Sequence, residues 1–291
     1  MGELNPNIVR KALLDEDVPE ISFNQNLIVD RPPTLCAGCP HRGFFYECAK
    51  RSDTVMVGDI GCYALGGSEP LNAKDMAICM GAAFSLAHGL SKAFLASGQD
   101  KTVVACMGDS TFFHTGINSL EEVVYNDSRV ICCILDNRIT GMTGHQENPG
   151  TGYTLQGEPA TIMDIETIVR ALGVERVRTV NPLRLNDMKE ALDWAYREVH
   201  EGPVVLITRW PCVLKKLSTE DRREFRPVPS VCIVHHDQCI GCKKCLTTGC
   251  PALSFDKYER KVSIDALQCD GCTVCAQVCP KQAITKGAKR A

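Results

Sequence analysis

Two runs of closely spaced cysteines, each ending in a Cys-Pro pair, lie near the end of the chain. The first run is Cys239-x2-Cys242-x2-Cys245-x4-Cys250, and the second is Cys269-x2-Cys272-x2-Cys275-x3-Cys279. A [4Fe–4S] cluster takes four thiolates, and in such tandem sequences three come from one run and the fourth from the other. The spacing predicts two clusters, one on Cys239, Cys242, Cys245 and Cys279 and one on Cys269, Cys272, Cys275 and Cys250.

A pair of zinc sites is the alternative for these eight cysteines. Zinc takes closed tetrahedra, usually built from CxxC pairs, and two CxxCxxC runs followed by Cys-Pro fit that pattern poorly. The four-residue gap before Cys250 departs from the usual three, and we expect a small loop insertion to absorb it. The unit resembles bacterial-type two-cluster ferredoxins, so one-electron transfer is its expected role.

Polar residues also follow two apolar strand patterns in the middle of the chain. Gly108-Asp109-Ser110 closes one pattern, and Asp136-Asn137 closes the next. The ends of parallel strands meet at the sheet edge where such folds bind ligands. Asp109, Asn137 and the carbonyl of Ile139 would supply three of the oxygens that Mg²⁺ shares with a diphosphate. Alone the pattern is weak, since many strands end this way by chance, although it resembles the thiamine-diphosphate motif.

The segment after Asn137, "NRITGMTGHQENPGTG", is rich in glycine, threonine and polar groups. Such a loop can wrap a diphosphate with backbone N–H donors. A solvent loop is the alternative, but a long segment without apolar anchors favours a loop ordered by a ligand.

The elements that must position these residues alternate along the chain. Apolar patterns predict strands at 54–59, 102–109, 129–137, 174–180 and 203–209, and helices at 77–96, 116–127, 163–172 and 186–200. Alternating strands and helices predict an α/β fold with a doubly wound parallel sheet. The cysteine-rich unit predicts a small ferredoxin-like α+β domain behind it.

Changes in composition mark the expected domain boundaries. We expect an extended lead-in over 1–31, the α/β domain over 32–212, a charged, proline-containing linker over 213–231, the two-cluster unit over 232–286 and a tail over 287–291.

The overall composition narrows the class of protein. Among 291 residues, 32 basic and 35 acidic side chains leave a net charge of -3, which offers no field suited to nucleic acid or an anionic membrane. The 18 cysteines follow a polar N-terminus without a signal-peptide pattern, and no apolar run is long enough for a membrane span. We therefore expect reduced thiols and a cytoplasmic location.

Four stretches together resemble one known family. They are "CAGCPHRG", "GDIGCYALG", "GDSTFFHTGINSL" and "ILDNRITGMTGHQENPGTG". In this order, and with the tandem cysteine unit, they are similar to the alpha subunits of indolepyruvate:ferredoxin oxidoreductases, from about residue 30 to 284. The wider family is that of the thiamine-diphosphate-dependent 2-oxoacid:ferredoxin oxidoreductases.

The resemblance implies oxidative decarboxylation of an aryl 2-oxoacid with coenzyme A to an acyl-CoA and CO2. Thiamine diphosphate and Mg²⁺ would be the cofactors, and electrons would leave singly through the clusters to ferredoxin. The implied partners are a chain with the pyrimidine-binding domain, a gamma- or beta-type subunit, and ferredoxin. The choice of indolepyruvate over another 2-oxoacid rests on resemblance alone.

The resemblance also assigns residues. Asp109, Asn137 and Ile139 would anchor Mg-diphosphate, with Ser110 beside them. The loop over the cofactor would comprise Thr140, Thr143, Gly144, His145 and Gln146. His41 would orient substrate or carry a proton, with a satisfied structural histidine as its alternative. His114 is a weaker candidate for a place near the diphosphate.

Relatives in the wider family place a third cluster near the thiamine with a CxxC pair and two distant cysteines. Cys36, Cys39, Cys62 and Cys212 have a similar order and spacing, and the alternatives are reduced structural thiols or a labile metal. Cys48, Cys79, Cys106, Cys132, Cys133 and Cys232 are expected to be core thiols.

One departure concerns the glutamate that activates the aminopyrimidine in these enzymes. It lies in a separate pyrimidine-binding domain, and neither Glu47 nor Glu69 suits the role. Because Met1 opens an otherwise intact set of motifs, we expect another polypeptide to supply it, with a truncated, inactive product as the alternative.

Two other functions stay open: an electron-transfer protein on a degenerate cofactor fold, and a non-redox thiamine decarboxylase, which the tandem cysteine unit disfavours.

Overall fold

The structure, a computed structural model, describes residues 5–19, 22–29 and 32–289. The chain divides into two compact units, with the division between Pro33 and Thr34. Within the described residues no helix is both long and apolar enough to cross a membrane.

The first unit contains a helix where we expected an extended lead-in. Helix α1 spans Pro6–Leu14, and the side chain of Asn5 accepts a hydrogen bond from the Ile8 N–H at 3.0 Å. A capping asparagine followed by proline at the first helical position is a strong helix start. A short 3-10 turn follows at Gln25–Leu27. Residues 1–4, 20–21 and 30–31 of the expected lead-in lie outside the described residues.

The second unit begins with an α/β domain. Its strands are β1 (Thr54–Val57), β2 (Thr102–Gly108), β3 (Val130–Asp136), β4 (Arg176–Val180) and β5 (Val204–Arg209). Its helices are α2 (His41–Cys48), α3 (Ala83–Ala96), α4 (Asp109–Thr111), α5 (Ile117–Tyr125), α6 (Ile165–Ala171) and α7 (Leu185–Glu198). A π-helical turn, Phe112–Gly116, joins α4 to α5.

The five strands are all parallel, in the order β1-β2-β3-β5-β4. Central strand β3 is buried along its whole length, because helices cover both faces of the sheet. Its alternate residues Ile131, Cys133 and Leu135 pack into one core and Val130, Cys132 and Ile134 into the other. The doubly wound parallel sheet expected from the sequence is confirmed.

Helix α3 starts later than the sequence pattern predicted, at Ala83 rather than residue 77. Gly81 has a φ of +88° and turns the chain, and its N–H donates to both carboxylate oxygens of Asp59 at 2.9 and 3.0 Å. The Ala83 N–H also donates to this buried carboxylate, at 3.1 Å. Asp59 therefore has a structural role in fixing the start of α3.

The expected linker over 213–231 is partly structured. Helix α8 spans Thr219–Phe225 and starts with a capping box formed by Ser218 and Asp221. Lys215 and Asp221 form a buried ion pair at 2.6 Å. Residues 230 and 231 already belong to the next strand.

The cysteine-rich unit is a small α+β structure, as expected. Strands β6 (Ser230–Val234) and β9 (Ile284–Lys289) pair antiparallel, as do β7 (Leu253–Asp256) and β8 (Lys261–Ile264). Helix α9 (Val274–Gln277) and a 3-10 turn at Lys244–Thr248 complete it. The expected tail from residue 287 is in part strand, since β9 continues to Lys289; residues 290–291 lie outside the described part.

Contacts join this cysteine-rich unit directly to the α/β domain. Gln277 accepts a hydrogen bond from the Leu185 N–H at 2.8 Å and donates one to the Leu183 carbonyl at 2.8 Å. Arg42 donates to the Thr248 carbonyl at 2.7 Å. Both parts therefore belong to the same compact unit, which starts at Thr34.

Candidate functional site

A cavity of about 670 Å³ opens where β1, β2 and β3 end. The residues that follow these strands line it, together with His41, the start of the loop after β3, and the loop's end at 147–149. Gly108 is required here by close approach, since a Cβ atom would lie 2.6 Å from the Tyr63 ring. The cavity occupies the carboxyl-terminal sheet edge, where the sequence predicted the cofactor site.

Asp109 lies in this cavity with its side chain almost completely buried. Its Oδ1 accepts the Ser110 N–H at 2.8 Å, and its Oδ2 accepts Asn148 Nδ2 at 3.0 Å. Burial raises the pKa of the Asp109 carboxyl to about 7, and the nearby Asp136 carboxylate adds to this. Asp136 itself is ion-paired with Arg209 at 2.6 Å. A buried carboxyl that has no cationic partner among the described residues suits a site that receives a metal ion.

Asn137 and Ile139 form a tight turn next to Asp109. The Asn137 Oδ1 accepts the Ile139 N–H at 3.2 Å, and Arg138 between them has a φ of +59°. Asn137 and Ile139 both line the cavity with Asp109, so the structure brings the three predicted oxygen donors to one place. The donor set of carboxylate, amide and carbonyl oxygens fits Mg²⁺.

His41 lines the same cavity, at the start of α2. Its side chain is buried, its Nε2 is 3.5 Å from Asn137 Nδ2, and its ring meets Tyr63 edge-on at 6.0 Å between centroids. Burial lowers the pKa of His41 to about 4. The imidazole is therefore neutral near pH 7 and can accept or donate a hydrogen bond according to its tautomer.

The loop after β3 only partly meets the prediction. Thr140 and Thr143 line the cavity, and the Thr140 hydroxyl is 2.7 Å from Ser110 Oγ. Gly144, His145 and Gln146 are not among the lining residues. Gln146 instead accepts from the Thr143 hydroxyl at 2.6 Å and donates to the Thr143 carbonyl at 2.7 Å. His145 Nε2 lies 3.9 Å from the Cys212 sulfur. His114, the weaker candidate, does line the cavity.

Asn148 and Glu147 are polar lining residues that the sequence analysis did not single out. Asn148 donates to both Asp109 and the Ser110 hydroxyl, at 3.0 and 2.9 Å. Glu147 Oε2 is buried and has no hydrogen-bond partner within the described part of the chain. Both lie in "HQENPG", a segment analysed only as part of a polar loop, and nothing in its spacing distinguished them.

Cys36, Cys39, Cys62 and Cys212 come close together beside this cavity. Burial raises the pKa of the Cys39 thiol to about 12, and Cys212 and Cys36 are near enough to add to it. Burial likewise raises the pKa of Cys212, with Cys36 and Cys62 adding. Cys62 itself lines the cofactor cavity. Four thiols from three separate segments thus lie near one another.

The eight C-terminal cysteines line two further cavities in two groups of four. One cavity is lined by Cys239, Cys242, Cys245 and Cys279, and the other by Cys250, Cys269, Cys272 and Cys275. Cys250 joins its group despite the longer gap before it. Within the described residues, no group of three or more His, Cys, Asp or Glu side chains is arranged to hold a single metal ion. Thiols placed around a cavity suit a cubane cluster better than one zinc ion, whose ligands converge at about 2.3 Å.

Cys232 is placed differently from the isolated core thiol that we expected. It is buried, but it lines the second of these cavities, and its backbone N–H donates to the Cys269 sulfur at 3.3 Å. Its thiol also interacts with that of Cys275. Its position on β6, 37 residues before Cys269, left no spacing signal.

Comparisons with known proteins agree with this arrangement. The family model described as "Thiamine pyrophosphate enzyme, C-terminal TPP binding domain" matches residues 59–208, and the "4Fe-4S dicluster domain" matches residues 238–283. The chain is 41% identical over 274 residues to indolepyruvate oxidoreductase subunit IorA of Pyrococcus horikoshii, covering 90% of this chain and 42% of that protein. It is 42% identical over 259 residues to the same subunit of Archaeoglobus fulgidus, covering 87% and 40%.

A shorter match and a structural match add to these. Pyruvate synthase subunit PorD of Methanothermobacter marburgensis is 35% identical over 74 residues, 25% of this chain and 80% of that protein. The 2-oxoglutarate:ferredoxin oxidoreductase from Magnetococcus marinus, with 2-oxoglutarate, coenzyme A and succinyl-CoA bound, superposes with a TM-score of 0.54. That superposition covers 67% of this chain and 70% of that one at 22% identity, so it supports the fold.

This chain spans less than half the length of the IorA subunits that it matches. The thiamine pyrophosphate model nevertheless covers residues 59–208, and the cavity, its oxygen donors and the two cysteine groups lie where the two models match. The chain therefore belongs to the thiamine pyrophosphate enzymes, and it is similar to part of the indolepyruvate oxidoreductase IorA subunits.

Proposed function

We propose that this chain is the thiamine-diphosphate- and cluster-binding part of a 2-oxoacid:ferredoxin oxidoreductase. It would oxidatively decarboxylate a 2-oxoacid with coenzyme A to acyl-CoA and CO2, and pass electrons singly to ferredoxin. The observation that carries the proposal is that the neighbours His41 and Arg42 line different cavities. A single residue step therefore separates a cofactor site from a cluster site.

The oxygen donors at the sheet edge would hold the cofactor's diphosphate through Mg²⁺. Asp109, Asn137 and the Ile139 carbonyl would be the ligands, and the hydroxyls of Ser110, Thr140 and Thr143 would contact the diphosphate. Gly144, His145 and Gln146 would form the outer turn that fixes Thr143. Thiamine diphosphate, when bound, supplies the carbon nucleophile and the electron sink that decarboxylation needs. Occupancy of this site by Mg²⁺ would also require the Asp109 carboxylate in its ionised form.

His41 would act on the substrate rather than on the metal. It is neutral near pH 7, buried, and aligned by Asn137 and Tyr63. A neutral imidazole can orient a carbonyl oxygen or pass a proton without placing a charge in the cavity. We therefore propose His41 as the residue that orients the 2-oxoacid.

The clusters would form the route for electrons. Cys36, Cys39, Cys62 and Cys212 would hold a third [4Fe–4S] cluster beside the cofactor, in addition to the two in the C-terminal unit. Cys242, of the group around the first cluster cavity, is exposed. That group would therefore be the exit to ferredoxin, since one-electron transfer favours a cluster close to the surface.

Partner chains would complete the active site. Three exposed apolar side chains, Ile60, Met80 and Met142, line the cofactor cavity and are 39%, 53% and 52% accessible. Apolar side chains at a cavity mouth favour a protein interface. We propose that they contact the pyrimidine-binding domain, with a gamma- or beta-type subunit as a further partner. The aryl substrate, indolepyruvate or a similar 2-oxoacid, is proposed from the names of the relatives.

Thermal shift measured with thiamine diphosphate and Mg²⁺ tests the cofactor site. We expect the wild-type melting temperature to rise with both ligands present, and Asp109→Ala to abolish the rise. The matched control is Asp53→Ala, an exposed acidic residue away from the cavity, which should keep it. No shift in the wild type would favour an electron-transfer protein on a degenerate cofactor fold.

Iron and sulfide analysis of anaerobically purified protein tests the clusters. We expect about twelve iron atoms per chain for three [4Fe–4S] clusters. About eight irons would rule out the third cluster but keep the two C-terminal ones. Cys62→Ser should lower a content of twelve to about eight, whereas the core variant Cys133→Ser should not.

A further inference from the structure

Arg42 is a completely buried arginine between the CxxC segment and the cysteine-rich unit. It is 1% exposed. Its Nη1 donates to the Thr248 carbonyl at 2.7 Å, and its Nη2 donates to the carbonyls of Leu35 and Cys36 at 2.6 and 2.8 Å. All three acceptors are neutral backbone groups.

Among the described residues, no carboxylate lies at ion-pair distance from this charge. Within the described residues, no acidic side chain lies within 4.0 Å of Arg42, and its buried Nε–H has no hydrogen-bond partner. The buried acidic residue of the same helix, Glu47, is paired with Lys50 at 2.6 Å. A guanidinium stays protonated in proteins, so Arg42 is a buried positive charge. Burying such a charge is costly unless a negative group lies nearby.

The cavity beside Arg42 is the one lined by Cys250, Cys269, Cys272 and Cys275. Arg42 is itself a lining residue, and a Cβ atom on Gly249, next to Cys250, would lie 3.2 Å from its Nη1. Arg42 is also near enough to Cys272 for its charge to act on that sulfur. Asp270 also lines the cavity, from an exposed position.

A [4Fe–4S] cluster with four thiolates is an anion, and reduction adds one further negative charge. We propose that Arg42 supplies the buried countercharge of this cluster, raises its reduction potential, and so favours its reduction by electrons from the neighbouring cofactor cavity. The inference rests on the proposed function, because it requires a cluster on these four cysteines. The electron comes from the oxidation of the 2-oxoacid, and the cluster's iron is reduced by one electron.

The alternative is that Arg42 only connects two backbone segments through its three carbonyl acceptors. The reduction potential of the cluster distinguishes the two roles, because losing the hydrogen bonds to the carbonyls does not by itself remove a charge. Arg42→Gln removes the charge but keeps a polar donor. Arg42→Lys keeps the charge but cannot reproduce the forked donor geometry.

The test is a redox titration of the anaerobically purified chain followed by electron paramagnetic resonance. For Arg42→Gln we expect the reduction equilibrium constant of one cluster to fall at least tenfold, about 59 mV for one electron. The cluster on Cys239, Cys242, Cys245 and Cys279, whose cavity Arg42 does not line, serves as the internal reference in the same molecule. Arg42→Lys should stay within threefold of wild type. Lys281→Gln, an exposed cation at the other cluster cavity, is the matched control and should move neither potential tenfold.

Each outcome has a definite reading. Unchanged potentials in an Arg42→Gln chain that keeps its iron would overturn the inference. If Arg42→Gln loses iron, the Arg42→Lys variant decides. A tenfold or larger fall in its reduction equilibrium constant would overturn the inference, and an unchanged potential would support it. If wild-type protein lacks the eight irons of the two C-terminal clusters, the proposed function fails instead, and iron analysis detects this before any titration.

Discussion

Single residues in the cofactor cavity combine burial with few charged partners. Asp109 and His41 are both buried there. Burial raises the pKa of Asp109 and lowers that of His41, so it favours the neutral form of each. The neutral forms are the ones that an uncharged interior favours. Binding of Mg²⁺ would favour the ionised carboxylate of Asp109. His41 has no partner among the described residues that would favour its charged form.

His41 gives a prediction for stability against pH. Burial lowers the pKa of His41 from 6.5 to about 4 in the folded protein. Above pH 6.5 the imidazole is neutral in both states, so the free energy of unfolding keeps its full value there. As the pH falls from 6.5 towards 4, protonation of His41 in the unfolded state lowers the free energy of unfolding. At 1.36 kcal/mol per pKa unit, the loss amounts to roughly 3 kcal/mol. We expect His41→Asn to lack this loss. Denaturant unfolding of the cluster-free protein at pH 7 and pH 4 measures the difference between wild type and variant, and an equal pH dependence would contradict the assignment.

Cys232 gives a second prediction at this scale. It is the fifth thiol at a cavity that needs four ligands, and Cys250 has the unusual spacing. We expect Cys250→Ser to lose about four irons and Cys232→Ser to keep the wild-type content, because Cys250 lies in the Cys-Pro position of the ligand pattern. Iron analysis of both variants decides. The reverse result would make Cys232 the ligand.

At the scale of elements, the segment between the two domains is a folded connection. Helix α8 is fixed at its start by a capping box and by the Lys215–Asp221 ion pair, whose side chains are 5% and 7% exposed. Charge and proline in the sequence indicated a solvated linker there. The charges proved to be partners of one another, which a count of charged residues cannot show.

Lys215→Met should destabilise this connection. The substitution leaves the buried Asp221 carboxylate without its cation, and losing one member of a buried pair costs about 3–5 kcal/mol. Thermal unfolding followed by circular dichroism should show a lower melting temperature than wild type. Adding Asp221→Asn to Lys215→Met should recover part of the loss, while Lys216→Met, at an exposed neighbouring position, should have little effect. An unchanged melting temperature for Lys215→Met would contradict this account.

At the scale of the whole molecule, the chain carries a cofactor cavity whose mouth has an apolar rim. We expect Met80→Glu to weaken binding of the pyrimidine-binding chain at least tenfold, because a carboxylate would be buried at the interface. Biolayer interferometry with that chain measures the affinity. Leu95→Glu, at a similarly exposed position near the end of α3, should bind like wild type. If wild type, Met80→Glu and Leu95→Glu bind with equal affinity, the interface lies elsewhere.

The sequence by itself determined the parts that depend on local pattern. Strand and helix order, the doubly wound sheet, and the grouping of eight cysteines follow from periodicity and short spacings, which act over a few residues. Asp109, Asn137 and Ile139 could be predicted together because parallel strands end at one edge.

Only the tertiary structure decided which distant groups meet. Cys62 and Cys212 each follow a predicted strand, which indicates the cofactor edge of the sheet, but only the resemblance linked them to the CxxC at Cys36 and Cys39. Cys232, Asn148 and the position of Arg42 had no signal at all. Their roles depend on burial and on long-range neighbours, and these arise when the sheet, its loops and the cysteine-rich unit pack against one another.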